Sequence, residues 1–303
     1  MTSIHRPALA TCLALAGIGA TASRADDYAI RDGDTVVFLG DSITAERTCG
    51  KIVEQYTLLR YPERRVRFIN AGQGGDTAAG GLKRLERDVF ARGATLVTVA
   101  YGINDIGWGF KADDEHRQLY LDSIRSIVEK CRERGVRVFI CSAALTAGDT
   151  GDDNYLQKMC DEGMAISRSL GQGAIDVQRT MRAIQKRIND YNARLPADKP
   201  KETMFAPDGI HLNGLGQLAM GFAIIKGLGA PAMVSSVAMN AGGDEIATEG
   251  CRVESVSASP TRITFMRIDE GWPMYLEPLW GLNFRFIPFP DELGRYMLTI
   301  RGL

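Results

Sequence analysis

Apolar and polar positions alternate in blocks along this chain. Strand-like apolar runs at 34–39, 65–70, 94–100, 136–143 and 174–178 are separated by helical periodicities at about 43–60, 79–92, 113–134, 153–170 and 180–194. Within 113–134, Leu119, Ile124, Ile127, Val128 and Cys131 share one face, and Gly135 supplies the stop. A further helix is predicted from Leu215 to Leu228. Such alternation predicts an α/β fold: a parallel sheet of about five strands with helices on both faces.

The pattern changes after Gly229-Ala230-Pro231. Segment 233–270 alternates residue by residue, as in Arg262-Ile263-Thr264-Phe265, with turn material at Ala241-Gly242-Gly243-Asp244 and Ser259-Pro260. It reads as short antiparallel strands. Trp272 to Pro290 then gathers Trp272, Tyr275, Trp280, Phe284, Phe286 and Phe289. These aromatics fit two roles, the core of a small β-rich unit or a platform for sugar rings. Tyr296 to Ile300 alternates like a strand, which either closes the small sheet or lacks a hairpin partner because the chain is truncated. The domain reading is a leader over 1–25, an α/β domain over 26–232 and a small β-rich region over 233–303.

The leader combines His5 and Arg6 with the apolar stretch Ala8 to Ala20 and small residues at Ala20-Thr21-Ala22 or Ser23-Arg24-Ala25. Too short to span a bilayer, it reads as a cleaved secretory signal, so a secreted or periplasmic location is expected. Leu9-Ala10-Thr11-Cys12 precedes most of the apolar stretch and lacks a glycine or alanine just before the cysteine, which argues against a lipid anchor. With 303 residues, 45% hydrophobic and a net charge of −1, the chain has the makings of a sizeable core and no global pull toward nucleic acid or anionic lipid. No nucleic-acid partner and no stable membrane insertion are expected, and oligomeric state is not encoded in any recognisable way. Beyond the leader, Cys49, Cys131, Cys141, Cys160 and Cys251 lack C-x-x-C spacing. They leave open one or two disulfides or buried apolar thiols. No His, Cys and carboxylate cluster has metal-ligand spacing. Asp149, Asp152 and Asp153 sit where a helix begins and suit its dipole.

Three turns follow predicted strands and carry candidate chemistry: Gly40-Asp41-Ser42-Ile43-Thr44, Asn70-Ala71-Gly72-Gln73-Gly74-Gly75-Asp76-Thr77, and Tyr101-Gly102-Ile103-Asn104-Asp105. In a parallel α/β sheet, all three would lie at the carboxyl edge, where ligands bind. A serine there is a helix cap or, given a histidine base, a nucleophile. His5 falls in the leader, and His116 lies among Asp113, Asp114, Glu115 and Arg117 on a predicted solvated turn. That leaves His211, three residues after Asp208, a spacing that on a helical first turn would point both side chains one way. No G-x-x-x-x-G-K-[ST] or G-x-G-x-x-G pattern completes a phosphate cradle. Segment 195–205, just before the Asp-His pair, reads as a surface loop.

Gly40-Asp41-Ser42, the glycine and asparagine turns and Asp208-x-x-His211, in this order, resemble the four blocks of the SGNH hydrolases, also called GDSL esterases and lipases, over roughly residues 34–228. An isoleucine follows the serine where many members have leucine, a conservative departure. The resemblance implies a flavodoxin-like three-layer α/β/α domain and a serine esterase that needs no cofactor. By motif position, Ser42 is the nucleophile, His211 the base and Asp208 its orienter. The Ser42 and Gly75 backbone N–H groups and the Asn104 amide would form the oxyanion hole. The leading expectation for the substrate, a small-molecule or polysaccharide ester, is a short acyl (acetyl) ester on carbohydrate. Lipid acyl hydrolysis, acyl transfer and a non-catalytic sugar-binding surface protein are the alternatives.

Overall fold

A computed structural model describes residues 28–274 and 282–302. The proposed leader, with Cys12, and Tyr275 and Trp280 lie outside the described residues. Five strands form one parallel sheet: β1 (Thr35–Gly40), β2 (Arg67–Gly72), β3 (Leu96–Ala100), β4 (Arg137–Cys141) and β5 (Gly173–Ile175). Their order is β2-β1-β3-β4-β5, the flavodoxin-like order, with β1 between β2 and β3. Gly40 lies level with Gly72 on one side and Ala100 on the other, so three strands end together.

Successive side chains of a strand face opposite sides. Val36 and Phe38 therefore join a core with the helices α2 (Thr48–Arg60), α6 (Val177–Asn192) and α7 (Gly214–Gly227). Val37 and Leu39 pack on the other side against α3 (Ala78–Asp88), α4 (Asp114–Glu133) and α5 (Tyr155–Ser169). The three layers are those expected from the sequence.

Local details differ. The helix expected over 43–60 is two, α1 (Ser42–Ala45) and α2, separated by Arg47 in the left-handed region (φ 72°). The first turn of α2 is served from a distance: buried Gln217 on α7 accepts from the Cys49 N–H at 3.0 Å and donates to Glu46 at 2.8 Å. Asp149 and Asp152 pair with Arg182 on α6 rather than lying free at a helix start. All five described cysteines are free and buried, so the disulfide alternative does not hold among them. Burial pushes the Cys49, Cys131, Cys141 and Cys160 thiols up to about 12.

Beyond residue 232, β6 (Met233–Asn240), β7 (Ala247–Glu249) and β10 (Arg295–Arg301) form a mixed sheet, and β8 (Cys251–Ser259) pairs with β9 (Arg262–Asp269) as an antiparallel hairpin. The strand expected at 296–300 is β10, which closes the small sheet and runs parallel to β6. A parallel pair needs a long crossover, and the stretch before β10 supplies it. Phe284, Phe286 and Phe289 do not form a private core for the β unit, and Trp272 is exposed. Phe286, Ile287, Phe289 and Leu293, the last two on the short helix α8 (Phe289–Leu293), are buried in the core of the α/β domain. Phe289 meets Tyr56 of α2 and Phe222 of α7 at ring-centroid distances of 6.0 Å each.

Candidate active site

Ser42 is the first residue of α1, immediately beyond β1, and Asp41 caps the helix by accepting from the Ile43 N–H at 3.0 Å. A helix's first N–H groups have no intrahelical acceptor, and the Ser42 N–H is one of them. The turn is tight enough to require glycine. A Cβ at Gly40 would lie 2.1 Å from Thr44 Oγ1 and 2.9 Å from the Ala100 carbonyl oxygen.

Ser42 Oγ lies 2.8 Å from His211 Nε2, across 169 residues of sequence. His211 Nδ1 lies 2.6 Å from Asp208 Oδ2. Asp208 and His211 are not on a helical turn. They occupy a loop closed by the Phe205–Leu212 bridge, and α7 starts only at Gly214 behind its Asn213 cap. Asp208 Oδ1 accepts from the Ile210 and His211 N–H groups at 2.9 Å each, and this curl gives the i, i+3 proximity without a helix. Bonding to His211, then these two backbone donors, holds the Asp208 carboxyl down at about 2. An ionised carboxylate only accepts, so Nδ1 carries the proton and Nε2 of the neutral ring is free to accept from the Ser42 hydroxyl. The pair is open to solvent, at 33% and 39% side-chain exposure.

The other two turns leave the sheet level with Gly40, and the Gln73 N–H donates to the Gly40 carbonyl at 3.0 Å. Gly75, with φ 71°, sits in a turn closed by Asp76 N–H donating to the Gln73 carbonyl. This left-handed conformation is one that glycine adopts without steric cost. Asn104 donates its amide to the Asp76 carbonyl at 3.0 Å, linking the turns after β2 and β3. Asp105 accepts from the Ala78 N–H at 2.9 Å and links them again. His116 is elsewhere, paired with Asp113.

Sequence reading missed the group that binds these turns from below. Arg84 of α3, 8% exposed, donates to Asp76 Oδ2 at 2.7 Å, Asp88 Oδ2 at 2.8 Å, the Tyr101 hydroxyl at 2.8 Å and the Ala71 and Gly40 carbonyls at 2.6 and 3.0 Å. A planar five-donor fork is well matched to several fixed acceptors. In sequence, Arg84 was one charge on a charged helix, and only the i, i+4 Asp88 hinted at pairing. Burial drives two further carboxyls upward against their backbone hydrogen bonds, Asp41 to about 6 and Asp105 to about 7.

The architecture is that of the three-layer α/β/α SGNH hydrolases. The sequence profile of the GDSL-like lipase/acylhydrolase family matches residues 38–219, and the chain belongs to that family. It is a carboxylic ester hydrolase. Among solved structures it is similar to BT4096, a gut microbial diltiazem-metabolizing enzyme (TM-score 0.71, 21% identity, covering 90% of this chain and 68% of that one). It is also similar to Axe2, an acetylxylan esterase from Geobacillus stearothermophilus (0.54, 20%, 66% and 96%). LAE5, an α/β hydrolase from the metagenome of Lake Arreo, Spain, is comparable (0.53, 18%, 67% and 98%). Likeness over 90% of the chain runs past the α/β domain into the C-terminal strands. None of the curated proteins compared matches the chain.

Proposed function

We propose that this protein is an exported serine esterase in which Ser42 is the nucleophile, His211 the general base and Asp208 its orienting carboxylate. The observation that carries the reading is the unbroken chain of contacts from Asp208 Oδ2 through His211 to Ser42 Oγ, at 2.6 and 2.8 Å. His211 Nε2 takes the hydroxyl proton as Oγ attacks the ester carbonyl carbon. The carbonyl oxygen becomes an oxyanion facing the Ser42 and Gly75 N–H groups and the Asn104 amide. Collapse breaks the bond to the alkoxide, which leaves with the proton from His211. Water, deprotonated by the same imidazole, then attacks the acyl-serine and releases the acid. Each oxyanion donor is worth roughly 3–4 kcal/mol of transition-state stabilisation.

The preferred substrates are short acyl esters on carbohydrate. The solvent-open Asp208–His211 pair suits an ester presented on a bulky alcohol, and the similar Axe2 is an acetylxylan esterase. Export rests on the leader at 1–25. A fluorophosphonate should label Ser42 alone and abolish p-nitrophenyl acetate hydrolysis, and Ser42→Ala should be inactive. Labelling at another serine overturns the assignment. Mass-spectrometric screening of acetylated glycans, triglycerides and phospholipids for lost acyl groups tests the substrate class, and turnover of lipid alone would replace the carbohydrate reading.

A further inference from the structure

Three residues past the asparagine turn, the loop carries a large aromatic in an unfavourable backbone state. Trp108 has φ 61° and ψ 23°, the left-handed region, where a bulky side chain is a genuine outlier. The loop enforces it: Trp108 N–H donates to the Ile103 carbonyl at 2.9 Å, Lys111 N–H to the Ile106 carbonyl at 2.9 Å, and Gly107 N–H to the Asn104 carbonyl at 3.0 Å. Core burial does not explain the arrangement, because Trp108 is 46% exposed. Strain maintained at an exposed residue calls for a compensating role.

That role is visible at both ends of the indole. Its Nε1–H donates to Asn104 Oδ1 at 2.9 Å, and its ring meets His211 edge-on, with centroids 5.9 Å apart and planes at 78°. A primary amide has two orientations of similar shape, related by a flip that exchanges donor and acceptor. The indole N–H only donates, and the Asp76 carbonyl only accepts. Between them they allow one orientation, with Oδ1 toward Trp108 and Nδ2 toward Asp76, and the amide's second N–H remains for the substrate. A flipped amide would oppose Oδ1 to the Asp76 carbonyl and turn an oxygen toward the developing oxyanion.

We propose that Trp108 is a positioning residue for the ester hydrolysis, locking the Asn104 amide with its nitrogen toward the oxyanion. The proposal rests on the reading of Asn104 as an oxyanion donor. Trp108→Phe keeps the ring beside His211 and removes the N–H. Its kcat on p-nitrophenyl acetate should fall about tenfold with KM within about twofold, because the bond matters only when charge develops. In an Asn104→Ala background, the same substitution should change kcat by less than about twofold, since no amide remains to orient. Melting temperature, measured alongside, should be unchanged or raised. Trp108→Phe with full kcat, or with an undiminished tenfold loss in Asn104→Ala, overturns the proposal and leaves the triad untouched. Full kcat in Asn104→Ala alone overturns the oxyanion reading, and this proposal with it.

Discussion

The two edges of the central sheet treat a buried aspartate in opposite ways. At the amino edge, Asp34 is 6% exposed and fully partnered. Arg137 Nη2 reaches both its oxygens at 2.6 and 2.7 Å, Thr95 donates to Oδ1 at 2.6 Å, and the Arg31 N–H donates to Oδ2 at 2.6 Å. At the carboxyl edge, Asp105 is equally buried, yet Oδ1 has one backbone donor and Oδ2 has no partner among the described residues. A carboxylate at the first edge ties strands together. At the second, the demands of a site leave a carboxyl less than satisfied, and burial raises it to about 7. The lesson is that equal burial does not mean equal purpose: hydrogen-bond completeness separates the closed edge from the working edge.

The largest expected effect removes the flank that both edges share. A chain ending at Ala232 loses Phe286, Ile287, Phe289 and Leu293 from the α/β core. Truncating one buried Phe costs about 3–5 kcal/mol, so losing all four side chains rivals a domain's whole stability of about 5–15 kcal/mol. Such a chain should fail to give a cooperative melt, and a monodisperse, active truncated protein would show the flank to be dispensable. Next, His211→Ala should lower kcat by about 10⁴–10⁶ while leaving the melting temperature nearly unchanged, since the residue sits on an exposed loop. Equal losses of activity and stability would blur the distinction between edges.

Arg137→Met should do the reverse. Leaving Asp34 short of its strongest donor costs about 1–3 kcal/mol, read as a lower melting temperature with kcat unchanged in the folded fraction. The smallest effect is a pH trend. A carboxyl whose folded pKa is raised contributes stability that is fully present below its unfolded pKa of ~3.9 and is lost as pH rises through the folded value. For Asp105 that loss runs from about pH 4 through about 7, and Asp41 adds a like-signed step ending near 6. Asp105→Asn keeps an oxygen for the Ala78 N–H and removes the titration. Its melting temperature should therefore improve relative to the parent between about pH 5 and 8, and parallel curves would refute the assignment.

The sheet was readable because its strands are buried on both faces. Val36-Val37-Phe38-Leu39 and Leu96-Val97 stand out as unbroken apolar runs. Ser42, Gly75 and Asn104 were legible as residues of turns placed after apolar runs, and Asp208 and His211 as an i, i+3 pair after a polar loop. What escaped depends on contacts between distant residues. Gln217 serves a helix 168 positions away, and Arg84 reaches the Gly40 carbonyl 44 positions back. Neither leaves a local pattern. The loop geometry of Asp208 was hidden for a different reason: an aspartate curling onto its own backbone and a helical first turn share the same i, i+3 spacing. The aromatic segment stayed open between a core and a platform because composition does not report what a ring packs against: Phe286 and Phe289 are buried against the α/β domain, whereas Trp272 is exposed.

The sealed thiols turn this protein into its own unfolding recorder. A sulfur held as neutral thiol, out of solvent, scarcely reacts with a maleimide, so alkylation must wait for the surrounding structure to open. Cys251 belongs to the C-terminal β region, whereas Cys49, Cys131, Cys141 and Cys160 lie within the two faces of the sheet. Peptide mapping after timed alkylation would thus date the opening of each region on a single sample. Early tagging of Cys251 alone would mean that the β region peels away first, and simultaneous tagging would mean that the molecule comes apart as one cooperative body.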